Sequence, residues 1–204
     1  MTSHIVIRSG WLLGLFGAIV IGLVSLAYQA TRGPIERSEY QALLQALSSV
    51  IPPEHYDNDL VNDSRPLKAS MGLGLKKDAQ VYRARVNGEQ TAAAFPVVAP
   101  DGYNGPINML MAIDRKGTIL GVRVISHHET PGLGDRIESR RSNWSEQFRG
   151  TSLSNPEEKR WAVKKDGGIF DQFTGATITP RIIVRALHKA LIHVESHPEA
   201  FFDE

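Results

Sequence analysis

The run Asp171-Gln172-Phe173-Thr174-Gly175-Ala176-Thr177 brings together the parts needed for a hydroxyl to attack a phosphate. Thr177 supplies the nucleophile, Gly175 and Ala176 leave the space beside it open, and Asp171 offers a carboxylate that a modifying enzyme can recognise. Thr174 is a second hydroxyl, placed before the small pair. In this combination the segment reads as an acceptor at which a flavin nucleotide is joined covalently to a threonine. With average residue usage, Asp-x-x-Ser/Thr-Gly-Ala-Thr arises by chance on the order of a few times per ten thousand chains of this length. The same residues also suit a tight turn leading into a helix, with Thr179 as N-cap and Pro180 at the first helical position. Both readings predict the helix, but only the first gives Thr177 a chemical task.

A second polar group follows a strand-like run. Glu129-Thr130-Pro131-Gly132-Leu133-Gly134 ends a strand and opens a helix, where backbone amides converge and a planar ring can be covered. A plain Gly/Pro turn is the alternative. His127, His128 and Glu129 have metal-ligand chemistry, but on a strand only His127 and Glu129 share a face, and no cysteine or further close histidine completes a set of four. Polar loop residues are the preferred reading. Lys164 and Lys165 precede Asp166-Gly167-Gly168, where Lys164 can place an ammonium near a nucleotide phosphate or belong to a solvated turn. Tyr103, between Gly102 and Gly105, either packs on such a ligand or stabilises a hairpin.

The segment Gly167 to Pro180, with His127 to Asp135 and Ala99-Pro100-Asp101-Gly102-Tyr103-Asn104-Gly105-Pro106-Ile107, resembles the G subunit of the Rnf (or Rsx) electron transport complex over nearly the whole chain. The related C subunit of the sodium-pumping NADH:quinone reductase shares the acceptor motif but is a longer chain. The resemblance implies FMN attached to Thr177 by a phosphoester, with Glu129, Thr130 and Leu133 as contacts to the flavin or its ribityl chain. It implies a separate flavin transferase that takes FAD as donor and releases AMP. It also implies partners among the membrane and iron-sulfur subunits of one complex, which couples electron flow between ferredoxin and NAD to ion movement. The expected location is the bacterial inner membrane, single-pass, with the soluble domain on the periplasmic side. A rival reading is a membrane-anchored docking or assembly module with a vestigial flavin domain, against which the intact motif speaks.

The elements that must position these residues begin with an anchor. Residues 11 to 28 carry no charge and as a helix would rise roughly 27 Å, close to the hydrocarbon thickness of a bilayer. The run exceeds a signal-peptide core of about 7 to 15 residues, and Tyr28-Gln29-Ala30 is a poor cleavage site. Basic residues flanking the run hardly decide its orientation. The 23 basic and 22 acidic residues balance to +1 with no block of like charge in the domain, which argues against nucleic acid as a partner. The chain has no cysteine, so its own thiolates bind no iron-sulfur cluster.

Beyond the anchor, Ile35, Tyr40, Leu43, Leu44 and Leu47 predict an amphipathic helix over 34–50, and 57–77 reads as a loop. Strand-like runs at 80–86, 91–98, 107–113 and 118–125, separated by Asn87-Gly88, Asp101-Gly102 and Lys116-Gly117, predict an antiparallel meander. Ile137, Trp144 and Phe148 suggest a helix over 135–148, Trp161-Ala162-Val163 the start of a strand, and 180–194 a final helix. The expected architecture is α+β: a cytoplasmic tip and transmembrane helix over 1–30, a helical stalk and loop over 31–78, and one antiparallel-sheet, covalent FMN-binding domain over 79–204.

Overall fold

The computed structural model of the protein describes residues 2–203. The chain divides into two compact units, Met1–Leu43 and Leu44–Glu204. Helix α1, Thr2–Val50, supplies the first unit and opens the second. Within the first unit its apolar side chains, among them Trp11, Leu13, Phe16 and Ile21, face outward and are exposed. So much contiguous apolar surface is stable only when lipid or protein covers it. Among the described residues it is the one helix long and apolar enough to cross a membrane, with a mean hydropathy of 2.2 in its best window. It fits a single-pass membrane anchor. The sequence predicted a fresh helix starting at Pro34, yet α1 runs through Pro34 without a break. The helix loses one backbone hydrogen bond there, because proline has no N–H to give.

The second unit is built on a five-stranded antiparallel sheet in sequence order: β1 Ser64–Leu67, β2 Ala79–Val86, β3 Glu89–Ala99, β4 Ile107–Asp114 and β5 Ile119–Ser126. The last four are the predicted meander. Strand β1 is a correction, since it comes from the stretch expected as loop. Its four residues show too little alternation to read alone and become a strand by pairing with 79–82. Between β2 and β3 the turn is set by Asn87 and Gly88, both at positive φ, the geometry that a two-residue hairpin needs.

The period-two alternation sorts side chains by size. On one face, Ala93, Phe95, Val97, Ile107, Met109, Met111 and Ile113 join the main core with helix α2, Ile178–Ser196. That helix buries Ile183, Val184, Leu187, Ala190, Leu191 and Val194, each of the larger ones worth about 1.5–3 kcal/mol by burial. On the other face a row of small residues, Ala94, Ala112 and Gly121, pairs across three strands. A Cβ at Gly121 would lie 2.7 Å from the Val50 carbonyl, so the row is small because the end of α1 lies against it.

Two further expectations fail locally. In place of a helix over 135–148 there are two short 3-10 turns, Gly134–Ile137 and Trp144–Phe148. Ser142 Oγ donates to the Arg136 carbonyl at 2.6 Å and accepts from the Trp144 N–H at 3.2 Å, so side-chain bonds replace the helical ladder. The strand expected at Trp161 shrinks to one bridge between Val163 and Phe170. A 3-10 turn at Lys164–Asp166 and Gly167 at φ 88° reverse the chain before a second pair can form.

Candidate functional site

The end of β3, the start of β4, the end of β5 and the first turn of α2 all lie at one end of the sheet. Three segments enter a cavity there. Gly102 to Gly105 links β3 to β4, Glu129 to Gly134 follows β5, and Gly175 to Thr179 opens α2. The cavity, about 330 Å³, is lined by Tyr103, Glu129, Thr130, Leu133, Gly134, Gly175, Ala176, Thr177, Ile178 and Thr179. That size lies at the lower end of small-ligand sites. Tyr103, Leu133 and Ile178 form its apolar rim, exposed by 66, 45 and 45 %.

The run Asp171 to Thr177 folds around a tight turn. Phe173 and Ala176 bridge across a tight turn, closed by an Ala176 N–H to Phe173 carbonyl bond of 3.2 Å. Gly175 occupies the turn position with φ 84°, which a side chain would strain, and Leu133 lies over it. Thr177 follows as N-cap of α2 but makes no side-chain capping bond. Among the described residues, nothing engages its hydroxyl. It is half-buried and faces the cavity from the positive end of a 19-residue helix. Thr174, by contrast, is exposed and off the cavity wall.

Thr179 is not the N-cap that the sequence suggested. It lies inside α2, is buried, and gives its hydroxyl hydrogen to Glu129 Oε2. Glu129, 5 % exposed, also accepts the Asn104 N–H on Oε1 at 3.2 Å. One carboxylate thereby ties the β3–β4 connection to the start of α2. Thr130 Oγ1 accepts from the Asn104 side-chain amide at 3.3 Å, and the Thr130 carbonyl accepts from Leu133 and Gly134 in the turn below.

The expected site residues therefore separate. Glu129, Thr130, Leu133, Gly175, Ala176 and Thr177 meet at one cavity. Asp171 and Lys164 do not line it and pair with each other at 2.6 Å on the exposed surface. The Lys164 ammonium thus answers a carboxylate of the acceptor run and not the cavity. Asn104, Ile178 and Thr179, which line the cavity or bond its Glu129, were not singled out in the sequence. The Asp101-Gly102-Tyr103-Asn104-Gly105 turn signal marked a loop, but no local pattern tells that its amide reaches Glu129.

The polar and apolar groups suit a flavin mononucleotide. A free hydroxyl at a helix N-terminus would suit a phosphate, glycines without Cβ leave room for close approach, and an apolar rim suits a planar ring. Residues 102–192 match the FMN-binding domain family, and residues 1–50 match the RnfG N-terminal region. The chain is 46% identical over 198 residues to the G subunit of the ion-translocating oxidoreductase complex of Pseudomonas aeruginosa, covering 97% of this chain and 92% of that one. It is 43% identical over 192 residues to the corresponding G subunit of Aliivibrio fischeri, covering 94% and 91%. The G subunit of Shewanella loihica is 43% identical over 198 residues, covering 97% and 93%. Sheet, cavity and both ends of the chain thus agree, and the chain belongs to the family of G subunits of the ion-translocating oxidoreductase complex.

Proposed function

We propose that the protein is the flavin-carrying subunit of a membrane redox complex, with FMN joined to Thr177 by a phosphoester, passing electrons between ferredoxin and NAD in step with ion movement. The observation that carries this reading is the unengaged, half-buried Thr177 hydroxyl on the wall of the cavity. The hydroxyls beside it differ, Thr179 being committed to Glu129 and Thr174 being exposed.

In attachment, Thr177 Oγ1 attacks the phosphorus on the flavin side of FAD. The new O–P bond forms as the pyrophosphate P–O bond breaks, AMP leaves, and the hydroxyl proton passes to a separate flavin transferase. At the start of α2 the Ile178 and Thr179 N–H groups have no intrahelical partners and would stabilise the phosphate charge, whereas Pro180 has no N–H and that of Arg181 bonds the Thr177 carbonyl. Asp171, held by Lys164, presents a carboxylate for the transferase to recognise. Glu129 fixes the pocket floor, Thr130 offers a hydroxyl at the rim, and Leu133, over Gly175, would shield a bound ring from water. Once bound, FMN supplies the redox chemistry, and the chain supplies its placement. Electrons then pass to neighbouring membrane and iron-sulfur subunits. In this reading the anchor lies in the bacterial inner membrane and the domain on its periplasmic side.

The test is Thr177→Ala in full-length protein made alongside a flavin transferase. Flavin fluorescence in a denaturing gel should vanish while stability changes by about 1 kcal/mol or less. Thr177→Ser, which keeps the nucleophile, should be partly modified. Persisting fluorescence in Thr177→Ala, or a peptide mass that puts the adduct on Thr174 or Thr179, would overturn the assignment.

A further inference from the structure

His127 lies two residues before Glu129, outside the cavity lining, and both of its ring nitrogens are engaged. The Glu129 backbone N–H donates to Nδ1 at 3.0 Å, so Nδ1 carries the lone pair and the ring proton sits on Nε2. Nε2 then donates to Glu138 Oε1 at 2.9 Å. Both side chains are well covered, at 9 and 19 % exposure. Glu138 is itself held by Arg140, whose hydrogen bond, ahead of that from His127, keeps its carboxyl below the ordinary range.

These contacts form one line. Arg140 fixes Glu138, Glu138 orients the imidazole, and the imidazole fixes the backbone of Glu129. Through its two carboxylate oxygens Glu129 then holds the Asn104 amide and the Thr179 hydroxyl, two residues past Thr177. Glu129 has left the sheet, which ends at Ser126, so no ladder neighbour holds its N–H. Without the imidazole acceptor that donor loses its partner, and the carboxylate is freed from a position that must suit two separate elements at once.

We propose that His127, as the Nε2–H tautomer, is a positioning residue for the flavin site, acting through the Glu129 backbone. The inference rests on the cavity being the flavin site, but not on the covalent bond to Thr177. His128, one residue on and exposed, has no such part.

The test uses full-length protein in detergent, carrying Thr177→Ala so that free FMN is titrated with no covalent adduct. His127→Asn puts an amide oxygen where Nδ1 stood and should bind FMN as the parent does. His127→Gln puts an amide near Nε2 and removes the Nδ1 acceptor. It should bind FMN about tenfold more weakly, the scale of one donor left unpaired. In the flavinylated protein with Thr177 restored, His127→Gln should shift the flavin midpoint potential and His127→Asn should not. Equal affinities and potentials for the Gln variant and its parent would overturn the proposal, as would equal losses in Asn and Gln.

Should His127→Gln fail to fold, the histidine 15N resonances of the parent decide: an unprotonated Nδ1 supports the proposal and a protonated one overturns it. Failure of Thr177 to carry flavin would sink the attachment reading alone and leave the titration and the tautomer to be read as before.

Discussion

At the scale of single residues, the site depends on what is small as much as on what is polar. Gly134 has ordinary backbone geometry, yet a Cβ there would lie 2.9 Å from both Cβ and Oε2 of Glu129 and 3.3 Å from Thr179 Oγ1. The nearer clash includes a Cβ, which cannot swing away as a flexible side-chain end does. Gly132 differs, because its φ of 80° calls for glycine while the space around it is open. Gly134→Ala should therefore push Glu129 off Thr179, lower the fraction of chains carrying flavin, and cost about 1–3 kcal/mol as an overpacked site does. Gly132→Ala should cost only the backbone strain, about 1 kcal/mol, and leave flavin occupancy unchanged. Thermal unfolding and the flavin-to-protein absorbance ratio check both. Wild-type occupancy in Gly134→Ala would show that the Glu129 position does not matter to the cofactor.

Among the elements, α2 has Thr177 as its N-cap and two partly buried histidines further along. Trp161 stacks on His188 at 5.2 Å between ring centroids, and His193 lies 4.6 Å from His197 with Ser70 Oγ beside it. Burial, the main cause in both, pushes His188 and His193 below the ordinary histidine value of 6.5, and His197 adds repulsion at His193. The sign follows from where protons bind first. The unfolded chain takes them up near its ordinary pKa and the folded chain only lower, so stability is full above about 6.5 and falls as pH drops below it. Asp203 and Glu138 have lowered values, set chiefly by hydrogen bonds from Arg85 and Arg140. Their contributions are present above the unfolded carboxylate values and are lost at more acid pH than those of the histidines. Between about pH 7.5 and about pH 5 the histidines should dominate. Wild-type Tm should fall more steeply over that window than the Tm of a His188→Gln/His193→Gln double variant. Parallel Tm curves for the two proteins would show that neither histidine is linked to folding.

For the whole molecule, the exposed apolar helix and the water-suited domain assign two solvents to one chain. The domain buries its large side chains on one face of the sheet and in α2, whereas the side chains of α1 from Trp11 to Tyr28 stand outward. The orientation proposed above puts residue 203 outside the cytoplasm. A reporter that works only in the cytoplasm, fused after the last residue, should stay silent, and one that works only outside should be active. The reverse pattern would invert the topology and move the flavin to the cytoplasmic face. Extraction sharpens the anchor itself, since a helix held by lipid resists mild salt and yields to detergent. Release of the chain by salt alone would remove it.

By itself the sequence determined what depends on neighbours along the chain. Asn87-Gly88, the period-two runs and the apolar stripe of α2 laid out the meander and the last helix, because turn geometry and side-chain alternation are local. The Gly175 turn was legible for the same reason. What only the tertiary structure decided was which groups meet. Asn104 and Thr179 stand 25 and 50 residues from Glu129 and share its carboxylate only once the strand ends and α2 close on each other. Thr179 looked like a cap because the residues around it suit one, and a buried carboxylate took its hydroxyl instead. Lys164 turned to Asp171, the stretch 64–67 became a strand by pairing, and 135–148 lost its helix to Ser142. Each outcome is a competition between partners for one donor, acceptor or edge, and that competition is settled by distance in space, which spacing in sequence does not carry.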